Sequence, residues 1–510
     1  MSVIRFNSLY RADSITTSVG ASALASVLSR VIGLARGVAL AWLIPQAQFG
    51  LFGIALLVVN ILLPVCSAGL YEGVTRYAPF HESAGTLRKF VIRSSLLAMG
   101  IALATTAILA LFAEPVGSVL FSKAQLASGA AESPVSQGAA GTLARASMVC
   151  VWALAAYHTL VGLLRGLRMF RAVGVAELSV SCLFTLLAIL GALGGFTTAS
   201  ALIVAYAIAC VVAVLVFAPG VMVRLGSAKP LTVEESRRPE SSLLTYSAWA
   251  AGTAVLWHAL SYYPMWYLLK VSDSATVGTF HAVRIITQFV QIGAVMLTAA
   301  VAANVTRAWE HRGRSATLPR LTLLTKACLI VLIVGAMVLS LARPFVMRLF
   351  PSTFAAGRAA YDPLVLFFLL VGIVGLVAVR FNLLEKPRLA CLAWLVGAVV
   401  NVIASYTLLT PAGDAGPVAQ VIALKSAAWA GVAGVVAALI VCIGLVRREN
   451  LTLDAPTLLL VAASFSVGFG WPVALPVVLL LIITTFATDL IFSPREWREM
   501  RLMLIGSGGR

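Results

Sequence analysis

The chain has 510 residues, of which 61% are hydrophobic and only 11% charged, and its mean hydropathy is +0.99. A soluble protein of this size carries about 25% charged residues, so the composition excludes an ordinary soluble globular protein. Apolar stretches long enough to cross a bilayer recur along the chain, whereas the alternating pattern of a membrane β-barrel is absent. We therefore predict an all-α, polytopic membrane protein.

Hydropathy predicts fourteen transmembrane helices, taken here in chain order. The first six lie at about 19–44, 49–70, 90–113, 145–164, 172–194 and 199–223. The next six lie at about 243–269, 277–303, 321–342, 363–384, 389–410 and 417–445, and the last two at about 455–470 and 473–492.

A polar, proline-containing and charged stretch, 224–242, separates the first two groups of six spans. We predict pseudo-symmetric six-helix bundles at 1–223 and 243–446, joined by this cytoplasmic linker, because duplicated units are a common transporter design. Residues 447–510 are predicted to hold spans 13 and 14 and a basic cytoplasmic tail. The tail segment 493–504 is either an amphipathic interfacial helix or a disordered basic segment.

The basic residues indicate the orientation of the spans. With the N-terminus in the cytoplasm, most of the 37 Lys and Arg residues fall on the cytoplasmic side. The outer side receives Lys123, Arg145, Lys270, Arg343, Arg348 and Arg358. This bias predicts that both termini are cytoplasmic. It also explains most of the net charge of +18 without a nucleic-acid partner, because such residues face anionic membrane lipids.

Four cations lie within predicted spans: Arg30, Arg36, Arg284 and Lys425. Arg30 is about 16 Å deep at a rise of 1.5 Å per residue, close to the midplane, where a charge is expensive. Arg36 and Arg284 lie nearer the outer face, so snorkelling to the surface is an alternative role for them. Lys425 is interpreted as an anchor at the outer interface.

Helical wheels group polar residues on three spans. On span 1, Ser26, Ser29, Gly33, Arg36 and Gly37 share a sector with Arg30, and on span 8, His281, Arg284, Gln288 and Gln291 share another. Span 7 carries an aromatic face that includes Trp257, a candidate sugar contact; packing or an interfacial belt is its alternative role. We expect these faces to line a water-filled cavity.

A cavity with cations near the midplane and no carboxylate deep in a span selects for an anion. Planar guanidinium groups suit phosphate, so the candidate substrate-binding residues are Arg30, Arg36, Arg284, Gln288, Gln291 and Trp257. No metal-ligand spacing occurs, and the GxxxxGK[ST] motif of ATP sites is absent, so we expect neither a metal nor a cofactor.

Residues 29–80 open with SRVIGLARG, continue through LIPQAQFGLF and close with GLYEGVTRY. This segment resembles the start of bacterial polysaccharide flippases of the multidrug/oligosaccharidyl-lipid/polysaccharide exporter superfamily. The resemblance implies two bundles that alternate between inward-open and outward-open states in the bacterial inner membrane. The implied substrate is an undecaprenyl-diphosphate-linked oligosaccharide, such as an O-antigen unit, and the polysaccharide polymerase machinery is a candidate partner.

Alternative functions remain open. In the related lipid II flippases, cavity arginines also occur in span 2, where this chain reads LLPVCSAGL (62–70), which argues against lipid II. Cation/drug antiporters of the same superfamily need intramembrane carboxylates. A membrane-embedded polysaccharide polymerase or ligase would be an enzyme, but the longest outer loop, 114–144, offers a poor catalytic set. We therefore expect a transporter and not an enzyme.

Overall fold

The computed structural model describes residues 15–83, 85–121, 134–226, 241–384, 386–409 and 416–505. Every regular element within these ranges is a helix, which confirms the predicted all-α fold class. Most of the predicted linker, the middle of the loop at 114–144 and the last five residues of the tail lie outside the described residues.

The described residues before the linker form eight α-helices. They are α1 (Ile15–Leu43), α2 (Gln46–Cys66), α3 (Leu70–Ser83), α4 (Leu87–Leu111), α5 (Ala113–Phe121), α6 (Pro134–Gly166), α7 (Phe170–Leu193) and α8 (Ala199–Gly226). The break between α1 and α2 falls at Pro45, which has no N–H to donate and disfavours a helical conformation in the residue before it.

Nine further α-helices follow among the described residues. They are α9 (Ser241–Val271), α10 (Ser274–Thr287), α11 (Phe289–Val346), α12 (Arg358–Leu383), α13 (Pro387–Leu408), α14 (Pro417–Arg448), α15 (Ala455–Ser464), α16 (Trp471–Ala487) and α17 (Pro494–Ile505). Short 3₁₀ helices occupy Met347–Leu349, Ser352–Gly357 and Phe465–Phe469. Gly313 has a φ of 73°, which is not helical, and it divides α11 into two helical parts. Glycine adopts this left-handed region without strain.

Each of the fourteen predicted spans falls on a helix of the described chain. Ten of these helices are long and apolar enough to cross a membrane, and Ala455–Phe469 and Trp471–Ala487 are shorter apolar helices. The remaining two spans correspond to α9, which is rich in aromatic and hydroxyl side chains, and to α10 with the start of α11. The chain is therefore a multi-pass membrane protein.

Internal contacts divide the chain into two units. The first holds the described residues up to Ala282 together with Phe350–Phe354, and the second holds those of Val283–Leu349, Ala355–Thr410 and Gly416–Arg510. The duplication into bundles at 1–223 and 243–446 stays a prediction.

In the first unit, α6 is central and packs against α2, α3, α4, α5 and α8. Helix α1 packs along α7, and α9 packs on α2 and α3. A close approach joins the starts of α2 and α10: a Cβ on Gly50 would lie 2.1 Å from the carbonyl oxygen of Ser274, and one on Gly278 would lie 2.3 Å from that of Gln46. Only glycine fits at this crossing.

In the second unit, α12 is the buried centre and packs against α11 and α14, while α13 packs on α14. Its side chains are buried on all sides from Ala360 to Val374, as expected for a helix that is hydrophobic around its whole circumference. The two charged residues within its buried stretch, Asp362 and Arg380, lie near its opposite ends.

Candidate functional site

The polar face of α1 packs on α7. Ser26 donates a hydrogen bond to Glu177 at 3.1 Å, and Ser181 donates to the carbonyl oxygen of Ser29 at 2.8 Å. Glu177 also forms an ion pair with Arg165 at 2.7 Å. The Ser26 side chain and the Ser29 backbone therefore make contacts within the first unit, and the cavity-lining role of this face stays a prediction.

Arg36 is half-buried and is held by α7. Its guanidinium carbon lies 4.0 Å from the centroid of the Phe184 ring, and its Nη1 donates to the Thr185 hydroxyl at 3.4 Å. A Cβ on Gly33 would lie 3.6 Å from Nη2 of Arg36, so Gly33 leaves room beside the guanidinium. No carboxylate in the described part of the chain pairs with Arg36, so the described residues leave its positive charge uncompensated.

Arg30 lies on α1 at a different level from Arg36, six residues earlier, and is exposed. It is placed within the candidate membrane span Leu24–Leu43, so its charge is accessible from outside the packed helices. The two arginines of span 1 therefore have different surroundings. Arg36 rests on the ring of Phe184, whereas the side chain of Arg30 is exposed.

A row of aromatic rings runs from Arg36 towards α10. Phe184 stacks on Tyr206 with centroids 4.8 Å apart, and its centroid is 6.3 Å from that of Phe52 on α2. Phe52 in turn lies 6.1 Å from the ring of His281, which is buried in α10. The row Phe184, Phe52 and His281 thus connects α7, α2 and α10 within the first unit.

The start of α10 is fastened to α2 by Gln46. The Gln46 side-chain amide donates to the carbonyl oxygen of Ala275 at 3.1 Å and to the hydroxyl of Thr279 at 2.6 Å. Together with the crossing of Gly50 and Gly278, these hydrogen bonds fix the part of α10 that precedes Arg284.

Arg284 is only 2% exposed, and its guanidinium carbon lies 5.7 Å from the ring centroid of Phe368 on α12. Snorkelling to a membrane surface is therefore not the role of Arg284, because its side chain is enclosed by protein. The helical run is interrupted at Gln288, between α10 and α11. At this break, Gln288 donates to the side-chain oxygen of Gln291 at 3.4 Å, and both glutamines are half-buried.

Trp257 is half-buried on α9, and its ring centroid is 5.9 Å from that of the adjacent His258. Among the candidate residues, Arg30, Arg36 and Trp257 belong to the first unit, whereas Arg284, Gln288 and Gln291 belong to the second. Their assembly into a single substrate site stays a prediction.

Sequence reasoning missed the residues that hold the arginines. Phe184, Thr185 and Phe368 lie in apolar spans, where a phenylalanine or threonine gives no polar signal. It also placed Asp362 just outside span 10. Asp362 lies near the start of α12, just after its first turn and inside the candidate span Ser352–Leu383. Its carboxylate accepts from Ser340 at 2.7 Å and pairs with Arg343.

No cluster of three or more His, Cys, Asp or Glu residues suited to a metal ion occurs in the described ranges. Comparison with known proteins yields no matching family model and no matching curated sequence. Similar folds are found among solved structures.

Three solved structures have folds similar to this chain. A MATE protein in complex with MaL6 has a TM-score of 0.62 at 17% identity, over 87% of this chain and 98% of that one. The lipid II flippase MurJ, in an inward closed conformation, has a TM-score of 0.62 at 13% identity, over 92% and 99%. A MOP superfamily transporter from Pyrococcus furiosus, described as having a binding pocket of reverse polarity, has a TM-score of 0.57 at 13% identity, over 88% and 99%. The chain therefore shares the fold of these transporters.

Proposed function

We propose that this protein is a transporter that moves an undecaprenyl-diphosphate-linked oligosaccharide from the inner to the outer leaflet of the bacterial cytoplasmic membrane. The observation that carries the proposal is the seating of Arg36: a guanidinium inside a membrane span rests on an aromatic ring and a hydroxyl, with no carboxylate from the described chain to neutralise it. A fixed, uncompensated cation in a span attracts an anion, and a guanidinium suits a diphosphate.

Alternating access supplies the movement in this proposal. Similar folds occur in MATE family transporters described in inward-facing and outward-facing conformations, at TM-scores of 0.61 and 0.61. Arg30, Arg36 and Arg284 hold the diphosphate, Gln288, Gln291 and Trp257 contact the sugars, and the polyprenyl tail stays in lipid. Both termini are cytoplasmic, and the polysaccharide polymerase machinery receives the product.

Two related substrates are the alternatives. Lipid II is favoured by the fold similarity to MurJ and carries the same diphosphate. A cationic drug is favoured by the similarity to MATE proteins and needs an intramembrane carboxylate for coupling. The carboxylates of Asp362 and Glu177 are each paired with an arginine, so both are already neutralised, which favours an anionic substrate.

The test is a flipping assay in proteoliposomes. Proteoliposomes that contain the wild-type protein are tested with one substrate at a time: a fluorescent undecaprenyl-diphosphate oligosaccharide, lipid II or a cationic dye. We expect translocation of the oligosaccharide lipid, a reduction of at least tenfold in Arg36→Gln, and wild-type rates in Lys425→Gln, which removes an exposed cation from another span. Dye transport without lipid flipping would instead support the antiporter, and preferential lipid II flipping would support the second alternative.

Deletion of the gene in the host provides the matching observation in the cell. We expect loss of one surface polysaccharide and accumulation of its lipid-linked precursor on the cytoplasmic side. Intact polysaccharide together with accumulated peptidoglycan precursor would contradict the proposed substrate.

A further inference from the structure

A cavity of about 420 Å³ opens at one end of the second unit. Its polar wall comes from four segments that are distant in sequence. The polar residues in its lining are Ser315, Thr322, Arg380, Asn450, Thr452, Asp454 and Glu496. The distribution of basic residues predicts that this end of the unit faces the cytoplasm. The cavity uses none of the residues of the proposed transport site.

Arg380 forms the buried part of the cavity wall. The residue is only 1% exposed and lies near the C-terminal end of α12. Its Nε and Nη1 find no hydrogen-bond acceptor in the part of the chain that the structure describes. A buried charge with unsatisfied donors is unfavourable. The Arg380 guanidinium therefore needs a hydrogen-bond acceptor that the described chain does not supply.

The two carboxylates in the wall are already engaged. Lys326 Nζ lies 2.6 Å from one oxygen of Asp454 and 2.9 Å from one oxygen of Glu496. The second oxygen of Asp454 accepts from the Thr457 amide at 3.2 Å, and that of Glu496 accepts from the Ser493 amide at 2.8 Å. Each carboxylate also lies at a helix N-terminus, where the helix dipole favours negative charge. Within the described chain, neither carboxylate accepts a hydrogen bond from Nε or Nη1 of Arg380.

We propose that this cavity binds a phosphate group, with the Arg380 guanidinium as its buried ligand. Ser315, Thr322 and Thr452 line the same cavity, and in this proposal their hydroxyls donate to the remaining phosphate oxygens. Charge-assisted hydrogen bonds from a guanidinium suit phosphate geometry. The phosphate belongs either to the headgroup of a membrane lipid or to a free phosphate in the cytoplasm, and the experiment separates these sources.

The experiment uses the purified full-length protein and one matched control. Arg380→Gln removes the buried guanidinium. Arg388→Gln removes an exposed arginine from the first turn of α13, outside the cavity. Thr322→Val removes one hydroxyl at nearly constant volume and leaves Arg380 in place. Binding is read from the rise in melting temperature on titration with inorganic phosphate, compared with chloride at equal ionic strength. Native mass spectrometry compares phosphatidic acid with a diacylglycerol of the same chains.

We expect phosphate or phosphatidic acid to bind the wild type and Arg388→Gln equally. The Kd should rise at least tenfold in Arg380→Gln, the loss expected for a hydrogen bond to a charged group, and several-fold in Thr322→Val. Binding of free phosphate identifies the cytoplasmic source, and binding of phosphatidic acid alone identifies the lipid headgroup.

The proposal is overturned if neither ligand binds the wild type more than its control, or if Arg380→Gln keeps the wild-type Kd. Should Arg380→Gln not be recovered in folded form, Thr322→Val and Ser315→Ala decide the outcome. Wild-type affinity in both of these variants would then overturn it. Oligosaccharide flipping does not enter the measurement, so failure here leaves the proposed transport function intact.

Discussion

The guanidinium carbon of Arg36 lies 4.0 Å from the centroid of the Phe184 ring on the neighbouring helix. Phe184 also stacks on Tyr206, so the ring is itself held in place. This contact positions a cation inside a membrane span without neutralising it. The residues that contact Arg36 are therefore as important to the proposed anion binding as Arg36 itself.

Phe184→Leu should weaken the seating of Arg36. The lost cation–π contact is worth about 0.5–2 kcal/mol, so thermal unfolding in detergent should occur at a lower temperature and flipping should slow. Phe196→Leu is the matched control because Phe196 is 67% exposed. Equal melting temperatures and equal rates for both variants would remove the ring from the mechanism.

Arg30→Lys should retain more flipping activity than Arg30→Ala, because lysine keeps the positive charge that holds the diphosphate. Both variants should be present in the membrane at wild-type levels, since Arg30 is exposed and packs against little. The measurement is the initial flipping rate at matched protein amounts. Wild-type rates in both variants would exclude Arg30 from substrate binding.

Gly50→Ala should separate α2 from α10. The new Cβ would lie 2.1 Å from the Ser274 carbonyl oxygen, and overpacking of this kind costs about 1–3 kcal/mol. We expect a lower melting temperature and loss of transport. Gly100→Ala on α4 meets nothing within 4 Å and should behave like the wild type. A wild-type melting temperature in Gly50→Ala would show that α2 and α10 are not packed as closely at Gly50 as the structure places them.

Asp362→Asn should destabilise the second unit without changing the pH dependence of transport. The carboxylate pairs with Arg343 and accepts from Ser340, and loss of a charged hydrogen bond costs about 1.5–3 kcal/mol. The melting temperature checks the loss of stability, and the transport rate measured across a range of pH checks the unchanged pH dependence. A flattened pH profile with unchanged stability would instead give Asp362 a coupling role and favour the antiporter.

Docking of α17 should depend on pH through Glu496. Partial burial opposes ionisation, but hydrogen bonds from Lys326 and Ser493 outweigh it and lower the pKa of the Glu496 carboxyl. A lowered pKa stabilises the docked helix above the ordinary pKa of glutamate, and this stabilisation is lost as the pH falls through the lowered value. Hydrogen exchange of residues 494–505 should therefore be slow at neutral pH and faster in acid, after correction for intrinsic rates.

Glu496→Gln is the control for this pH dependence. It removes the titrating group, so corrected exchange in α17 should be fast at neutral pH and should change little in acid. If α17 of the variant keeps the wild-type protection and the wild-type pH profile, the ion pair with Lys326 does not hold the helix.

The sequence by itself determined the fold class, and it located the ten helices that are long and apolar enough to cross a membrane and the two shorter apolar helices near the C-terminus. Each span must satisfy its own backbone hydrogen bonds in lipid, so apolar length alone marks a helix. The sequence also located Arg30 and Arg36 within a candidate span, since a charge in an apolar run is visible without a structure; the placement of Arg284 in a span stays a prediction. It further predicted a possible helix in the tail, and α17 occupies that segment.

Only the tertiary structure decided what surrounds those charges. Arg36 and its partner Thr185 are 149 positions apart, and the wall of the Arg380 cavity comes from segments between Ser315 and Glu496. Helix periodicity shows which residues share one face, but not which neighbouring helix that face meets. The ring beneath Arg36, the burial of Arg284 and the unsatisfied guanidinium of Arg380 all depend on packing between helices, which no local pattern encodes.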